Sequence, residues 1–221
     1  TGVCRHARQN DCAVVILSLD MYKFDVLSRI RCMLADVPWQ TLVRGSFDES
    51  SRLPDSLFSQ ADQTKLDRAN ELVQTYELDK RLTIVDREDI GDDTSAERLR
   101  AILQEAKHKA GASRGLIVID YLQLLSVPDD MNDGGDLGAD KYRIRLVQRV
   151  LEGSRGDDSP LGDTAIVISE SRKPPSSKDA WGDSMSELMG SARLGYAADA
   201  VILYREMNNK ELAANYGVHD S

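Results

Sequence analysis

Residues 115–125 read Gly-Leu-Ile-Val-Ile-Asp-Tyr-Leu-Gln-Leu-Leu. Leu116 to Ile119 is a short, β-branched-rich apolar run without polar alternation, the pattern of a strand covered on both faces of a parallel sheet. It ends in Asp120. Open α/β sheets bind ligands at the C-terminal ends of their strands. A carboxylate emerging there can hold a magnesium shell beside a triphosphate. The plain alternative is a buried strand whose last residue happens to be acidic.

Four other runs share the pattern: Ala13 to Leu17, Leu82 to Val85, Ala165 to Ile168 and Ala200 to Leu203. Helical patterns fall between them. Phe24 to Ala35 carries a stripe at Phe24, Leu27, Ile30 and Leu34. Thr94-Ser95-Ala96-Glu97 has the form of a capping box, opening a helix that runs to about Lys109. On it Leu99, Ile102, Leu103 and Ala106 share a face, and Gly111 closes it. Tyr142 to Leu151 is another amphipathic piece, and Phe47 to Tyr76 is polar and helical in its second half. Asp129 to Asp140, Gly153 to Asp163 and Lys173 to Asp183 read as surface loops. Strands alternating with helices imply a doubly wound α/β domain, a mostly parallel sheet with helices on both faces.

Bulk properties agree. At 221 residues, 41% hydrophobic and 29% charged, the chain suits one folded domain and not a disordered one. No apolar run approaches the roughly 20 residues that cross a bilayer, so no membrane contact is expected. The first residues resemble neither a signal nor a transit peptide. The net charge of −9 argues against a broad basic face coating nucleic acid, but not against a ring gripping one strand with a few loop residues. Cys4, Cys12 and Cys32 match no zinc or disulfide spacing and read as free thiols in a reducing cytoplasm.

Phosphoanhydride hydrolysis needs a group that orients the attacking water, separate from the acid that holds the metal. Many nucleotide hydrolases place a Glu directly after the strand-end Asp; here Tyr121 stands in that place and cannot serve. The other solution is an acid at the end of the neighbouring strand. Val14-Val15-Ile16-Leu17-Ser18-Leu19-Asp20 supplies one. Asp20 reads equally as the N-cap of the helix that follows.

With these residues in place the chain resembles the C-terminal ATPase domain of DnaB-like replicative helicases. "LSLDM" (17–21) is similar to the family's "SLEM", and "GLIVIDYLQLL" (115–125) to its Walker B segment. "RLTIVDREDIGDDTSAERLRAILQEAKHKAG" (81–111) has the layout of the strand, turn and helix leading into Walker B. "AIVISESRK" (165–173) resembles the next strand, which ends in a polar γ-phosphate sensor, and "GSARLGYAADAVILYRE" (190–206) the segment lining the DNA loop. The likeness covers roughly residues 12 to 206.

The resemblance implies a RecA-like P-loop NTPase core spanning 1–221, incomplete at both ends. It implies ATP and Mg²⁺, with Asp120 holding the magnesium shell through water and Asp20 orienting the lytic water. Glu170 takes the sensor position with Arg172 nearby. Lys173, Lys178, Gly190, Ser191 and Arg193 become DNA-loop candidates. Single-stranded DNA, a homo-oligomeric ring (a hexamer) and a primase or loader are the implied partners, in the cytoplasm of a bacterial or phage-infected cell.

Departures from the family pattern are specific. Its catalytic Glu is Asp20 here, which withdraws the carboxylate by about 1.5 Å, one C–C bond. Misplacement by about 1 Å costs on the order of a hundredfold in rate. The sensor Gln is Glu170, and the DNA-contacting Arg-Glu-Ser-Gly run aligns with Met189-Gly190-Ser191-Ala192, leaving Arg193 as the nearest cation. No GxxxxGK[ST] occurs. In the family that loop precedes the strand starting here at Ala13, and the trans-acting arginine finger follows the last one, so truncation is the expectation.

Other features carry weaker chemistry. His6, His108 and His219 are scattered without metal spacing. Ser18, Ser169 and Ser171 lack a nucleophile elbow. Lys141, Arg143, Arg145 and Arg149 form either a solvated helix face or a subunit-interface or DNA-facing edge, and Arg205 caps a strand or approaches a neighbouring site. Two rival readings stand beside the motor: a degenerate RecA-like subunit without efficient hydrolysis, and a RecA-like ATPase outside replication.

Overall fold

The computed structural model describes residues 11–39, 60–75, 78–129, 135–152, 162–169 and 197–202. The chain divides into two compact units, 1–170 and 171–221. In the first unit the strands are β1 (Cys12–Ser18), β2 (Leu82–Asp86), β3 (Arg114–Asp120) and β4 (Thr164–Val167). The helices are α1 (Lys23–Ala35), α2 (Gln60–Thr75), α3 (Leu78–Arg81), α4 (Arg87–Ile90), α5 (Ala96–Ala110) and α6 (Gly135–Glu152). A short 3₁₀ turn spans Leu122–Leu124.

The four strands pair in parallel in the order β2-β1-β3-β4, so the α/β reading holds. Alternate residues enter different cores. Ala13, Val15 and Leu17 of β1 and Ile117 and Ile119 of β3 are almost completely buried. A Cβ on Gly115, which shares their face, would sit 2.7 Å from Leu103 Cδ1, so α5 lies directly on that side. Leu99 and Leu103 of α5 are 1% and 0% exposed. On the other face Cys12, Val14 and Leu116 cluster with the partly buried Ile16, Leu82 and Val118. Cys12 and Cys32 are free, buried thiols, and burial pushes both above their ordinary pKa. Among the described residues no helix is long and apolar enough to cross a membrane.

A buried ion pair ties α5 to the approach to β4, and an amide bond to the same carboxylate adds the start of β3. Asp163 accepts from Lys107 Nζ at 3.0 Å and from the Gly115 amide at 2.7 Å. The Asp163 side chain is 1% exposed and that of Lys107 12%. The low-dielectric interior makes such a pair costly to split, because one partner would be left as an uncompensated buried charge.

Five local expectations change. The α5 cap is Ser95, whose hydroxyl accepts from the Arg98 amide, and not Thr94. Thr94 is buried and its hydroxyl accepts instead from the Ser126 amide at 2.9 Å, a partner 32 positions away. The acidic stretch expected to loop through Asp140 becomes helical at Gly135, and Asp140 is buried because Arg143 pairs with it at 3.2 Å. Arg143 also donates to the Leu125 carbonyl and is largely buried, so it does not belong to a solvated face.

On α1 the stripe is different: Phe24 is 72% exposed, whereas Val26, Ser28, Cys32 and Ala35 are buried. The helix has neighbours in two directions, β2 and α2, so one stripe does not describe it. Finally, 200–202 form no strand and Ile202 is 92% exposed. A β-branched run becomes a strand only where a ladder takes its hydrogen bonds, and no ladder among the described residues does. The helical second half expected before Tyr76 is α2.

Candidate functional site

Parallel pairing fixes which strand ends are neighbours. Ser18 of β1 lies in register with Asp86 of β2 on one side and Asp120 of β3 on the other. Beyond that row the Leu19 amide donates to the Asp120 carbonyl at 2.9 Å. Asp20 leaves the sheet immediately afterwards and is exposed. The Ser18 hydroxyl closes this turn by donating to the Met21 carbonyl at 2.9 Å. The structure therefore brings Asp20 and Asp120 to the C-terminal ends of adjacent strands.

The two acids differ in environment. Asp120 is partly buried, and burial first, then the neighbouring Asp20 carboxylate, push its carboxyl above the ordinary range. Arg29 of α1 acts in the opposite sense, and its guanidinium carbon stands 5.6 Å from the centroid of the Trp39 ring, within cation–π range.

The capping alternative for Asp20 is not realised. The N-cap of α1 is Tyr22, with no side-chain hydrogen bond. The amide that opens α1, from Lys23, donates at 2.8 Å to Asp86 Oδ2. Asp86 also accepts from the Glu88 and Asp89 amides as the cap of α4. These bonds, that of Lys23 foremost, hold its carboxyl below the usual carboxylate range. Asp86 thus sits in the same row as Asp120 but is committed to backbone amides. Sequence reasoning missed this role because the decisive partner lies 63 positions upstream.

The donor set fits a hard divalent cation held largely through water. It consists of one partly buried carboxylate, a second carboxylate on the next strand, and excess negative charge that burial makes unfavourable. A closed cage is not needed, and among the described residues no cluster of three or more metal-ligating side chains occurs. His108 is exposed near the end of α5. Glu170, Arg172, Lys173, Lys178, Gly190, Ser191, Arg193 and Arg205 lie outside the described residues, as do Cys4, His6, Ser171 and His219. Ser169 is described, and its hydroxyl accepts from Gln123 Nε2 at 2.9 Å.

The chain is similar to two solved structures. One is described as an ATPase domain, with TM-score 0.61 and 22% identity over 89% of this chain and 60% of that one. The other is a DnaB-like replicative helicase whose structure was described with its interactions with primase, with TM-score 0.61 and 21% identity over 87% of this chain and 40% of that one. The chain therefore spans between two fifths and three fifths of the length of these structures. At this identity they establish the fold expected from the resemblance. No curated protein matches the chain. Residues 2–217 match the family described as the DnaB-like helicase C terminal domain, and the chain belongs to that family.

Proposed function

We propose that this chain is the motor domain of an ATP-dependent DNA helicase of the ring-forming replicative type, coupling ATP hydrolysis to movement on single-stranded DNA. The observation that carries the reading is the juxtaposition of Asp20 and Asp120 at the ends of neighbouring parallel strands. Asp120 would hold the water shell of Mg²⁺, which when bound neutralises charge on the β- and γ-phosphates. Asp20, exposed and free of a capping role, would accept a hydrogen bond from the attacking water and orient it. The Ser18–Met21 bond fixes the turn from which Asp20 projects. Glu170 and Arg172 would follow phosphate state, and Lys173, Lys178, Gly190, Ser191 and Arg193 would contact the DNA strand. A homo-hexameric ring, a primase or loader partner and a cytoplasmic setting complete the reading.

A second reading has one observation in its favour: the water-orienting position holds Asp20, a methylene shorter than Glu. A subunit that binds nucleotide without efficient hydrolysis would follow. The full-length protein separates the two. DNA-stimulated ATPase with unwinding of a forked duplex supports the motor, stimulated ATPase without unwinding supports a RecA-like ATPase outside replication, and nucleotide binding without turnover supports the degenerate subunit.

A further inference from the structure

The segment that follows Asp120 is clamped from three directions. Towards β4, the Ile168 amide donates to the Ile119 carbonyl at 2.9 Å and the Leu122 amide donates to the Ile168 carbonyl at 2.8 Å. Towards the loop before α5, the Ser126 amide donates to Thr94 Oγ1 at 2.9 Å. Towards α6, Arg143 Nε donates to the Leu125 carbonyl at 3.0 Å. Leu122 and Leu125 are each 1% exposed, so the segment is also anchored in the core.

Among the described residues β4 is an edge strand, with Ile166 and Ile168 each 45% exposed. Its described backbone bonds to the β3 side end at Ile168. One residue further, a side-chain bond continues the connection: Gln123 Nε2 donates to Ser169 Oγ at 2.9 Å.

We infer that Gln123 is a positioning residue, holding the Ser169 hydroxyl so that the exit of β4 stays fixed against the exit of β3, where Asp120 stands. The inference rests on the reading of Asp120 as the acid of the magnesium-nucleotide site. A single neutral hydrogen bond adds little to global stability, so its loss changes the alignment of the two strand ends more than the fold. Turnover is sensitive to such misalignment, whereas nucleotide binding, spread over many contacts, is less so.

The test is steady-state Mg-ATP turnover by the full-length protein carrying Gln123→Ala, Ser169→Ala, both together, or Ser169→Thr, which keeps a hydroxyl. Each Ala variant is expected to lower kcat about tenfold while KM for ATP changes less than about threefold. The double variant should be no slower than the slower single one, because the bond that joins Gln123 to Ser169 is already lost in each. Ser169→Thr should restore kcat to within about threefold of the unsubstituted protein. A kcat within about twofold for Gln123→Ala, or losses that multiply in the double variant, would overturn the inference. If Gln123→Ala does not fold, the comparison of Ser169→Ala with Ser169→Thr decides it: equal rates overturn it.

Asp120→Ala, measured in parallel, separates the two levels. Turnover that survives Asp120→Ala removes the reading of the site. Turnover abolished by Asp120→Ala but unchanged by Gln123→Ala removes only the role of Gln123. Absence of turnover in the unsubstituted protein removes both.

Discussion

The amide of Leu19 donates to the carbonyl of Asp120 at 2.9 Å, one step past the pairing of Ser18 with Asp120. That bond places two acids, far apart in the chain, at one edge of one sheet. The chemistry assigned to the chain depends on this adjacency.

Asp120→Ala in the full-length protein is expected to abolish magnesium-dependent ATP turnover, with a loss of at least about a hundredfold, while leaving the fold intact. Circular dichroism and a phosphate-release assay check the two halves. A folded variant with unchanged turnover takes Asp120 out of the site.

Asp20→Glu extends the carboxylate by one methylene. If Asp20 orients the lytic water, kcat is expected to hold or rise, by up to about a hundredfold if reach is now limiting. A fall of more than about tenfold contradicts the assignment. Removal of a helix cap is no longer a rival explanation for a change here, since the Lys23 amide is satisfied by Asp86.

Asp86→Ala removes an acceptor for three amides, from Lys23, Glu88 and Asp89. The expected cost is about 2 kcal/mol near pH 7, the upper part of the range for losing a helix cap. The carboxyl is held below its ordinary range in the folded chain. Its contribution is therefore fully present above the unfolded value of about 4 and is lost as pH falls through the lower native value. Denaturant titrations should show the gap between the two proteins closing below about pH 4. A gap as wide at about pH 3 as at about pH 7 contradicts the charge-based account.

Lys107→Met takes the ammonium away from Asp163, whose side chain is 1% exposed and accepts from the Gly115 amide as well. Splitting a buried pair in this way is expected to cost about 3–5 kcal/mol, measured as a shift in denaturation midpoint. Gly115→Ala should also destabilise, because its Cβ would press on the fully buried Leu103 side chain at 2.7 Å. Wild-type stability in both variants would remove this contact from the account.

The sheet is legible in the sequence because its strands are buried runs too short to be helices, and Leu116 to Ile119 and Ala13 to Leu17 declare this without reference to anything else. That Asp20 and Asp120 follow adjacent strands is legible because an acid stands at or just after the end of each run. What cannot be read are side chains whose partners lie far along the chain. Thr94 has the local form of a cap and instead holds Ser126. Arg143 has the pattern of a solvated face and instead donates to the Leu125 carbonyl, 18 positions away. Asp86 has the local form of a cap for α4, but nothing local announces its bond to the Lys23 amide or the bond of Gln123 to Ser169. Ala200 to Ile202 misleads in the other direction, since apolar composition specifies a strand only where a ladder takes its hydrogen bonds, and none among the described residues does. The positions expected to sense phosphate or touch DNA, Glu170 to Arg193, fall outside the described residues.

The most direct measurement is a crystal structure of the full-length protein with magnesium and a non-hydrolysable ATP analogue. A magnesium-bound water is expected within hydrogen-bond distance, about 3 Å, of Asp120, and a second water near the γ-phosphate within the same reach of Asp20. A nucleotide bound at any other edge, with neither carboxylate facing its phosphates, would contradict the assignment of both acids.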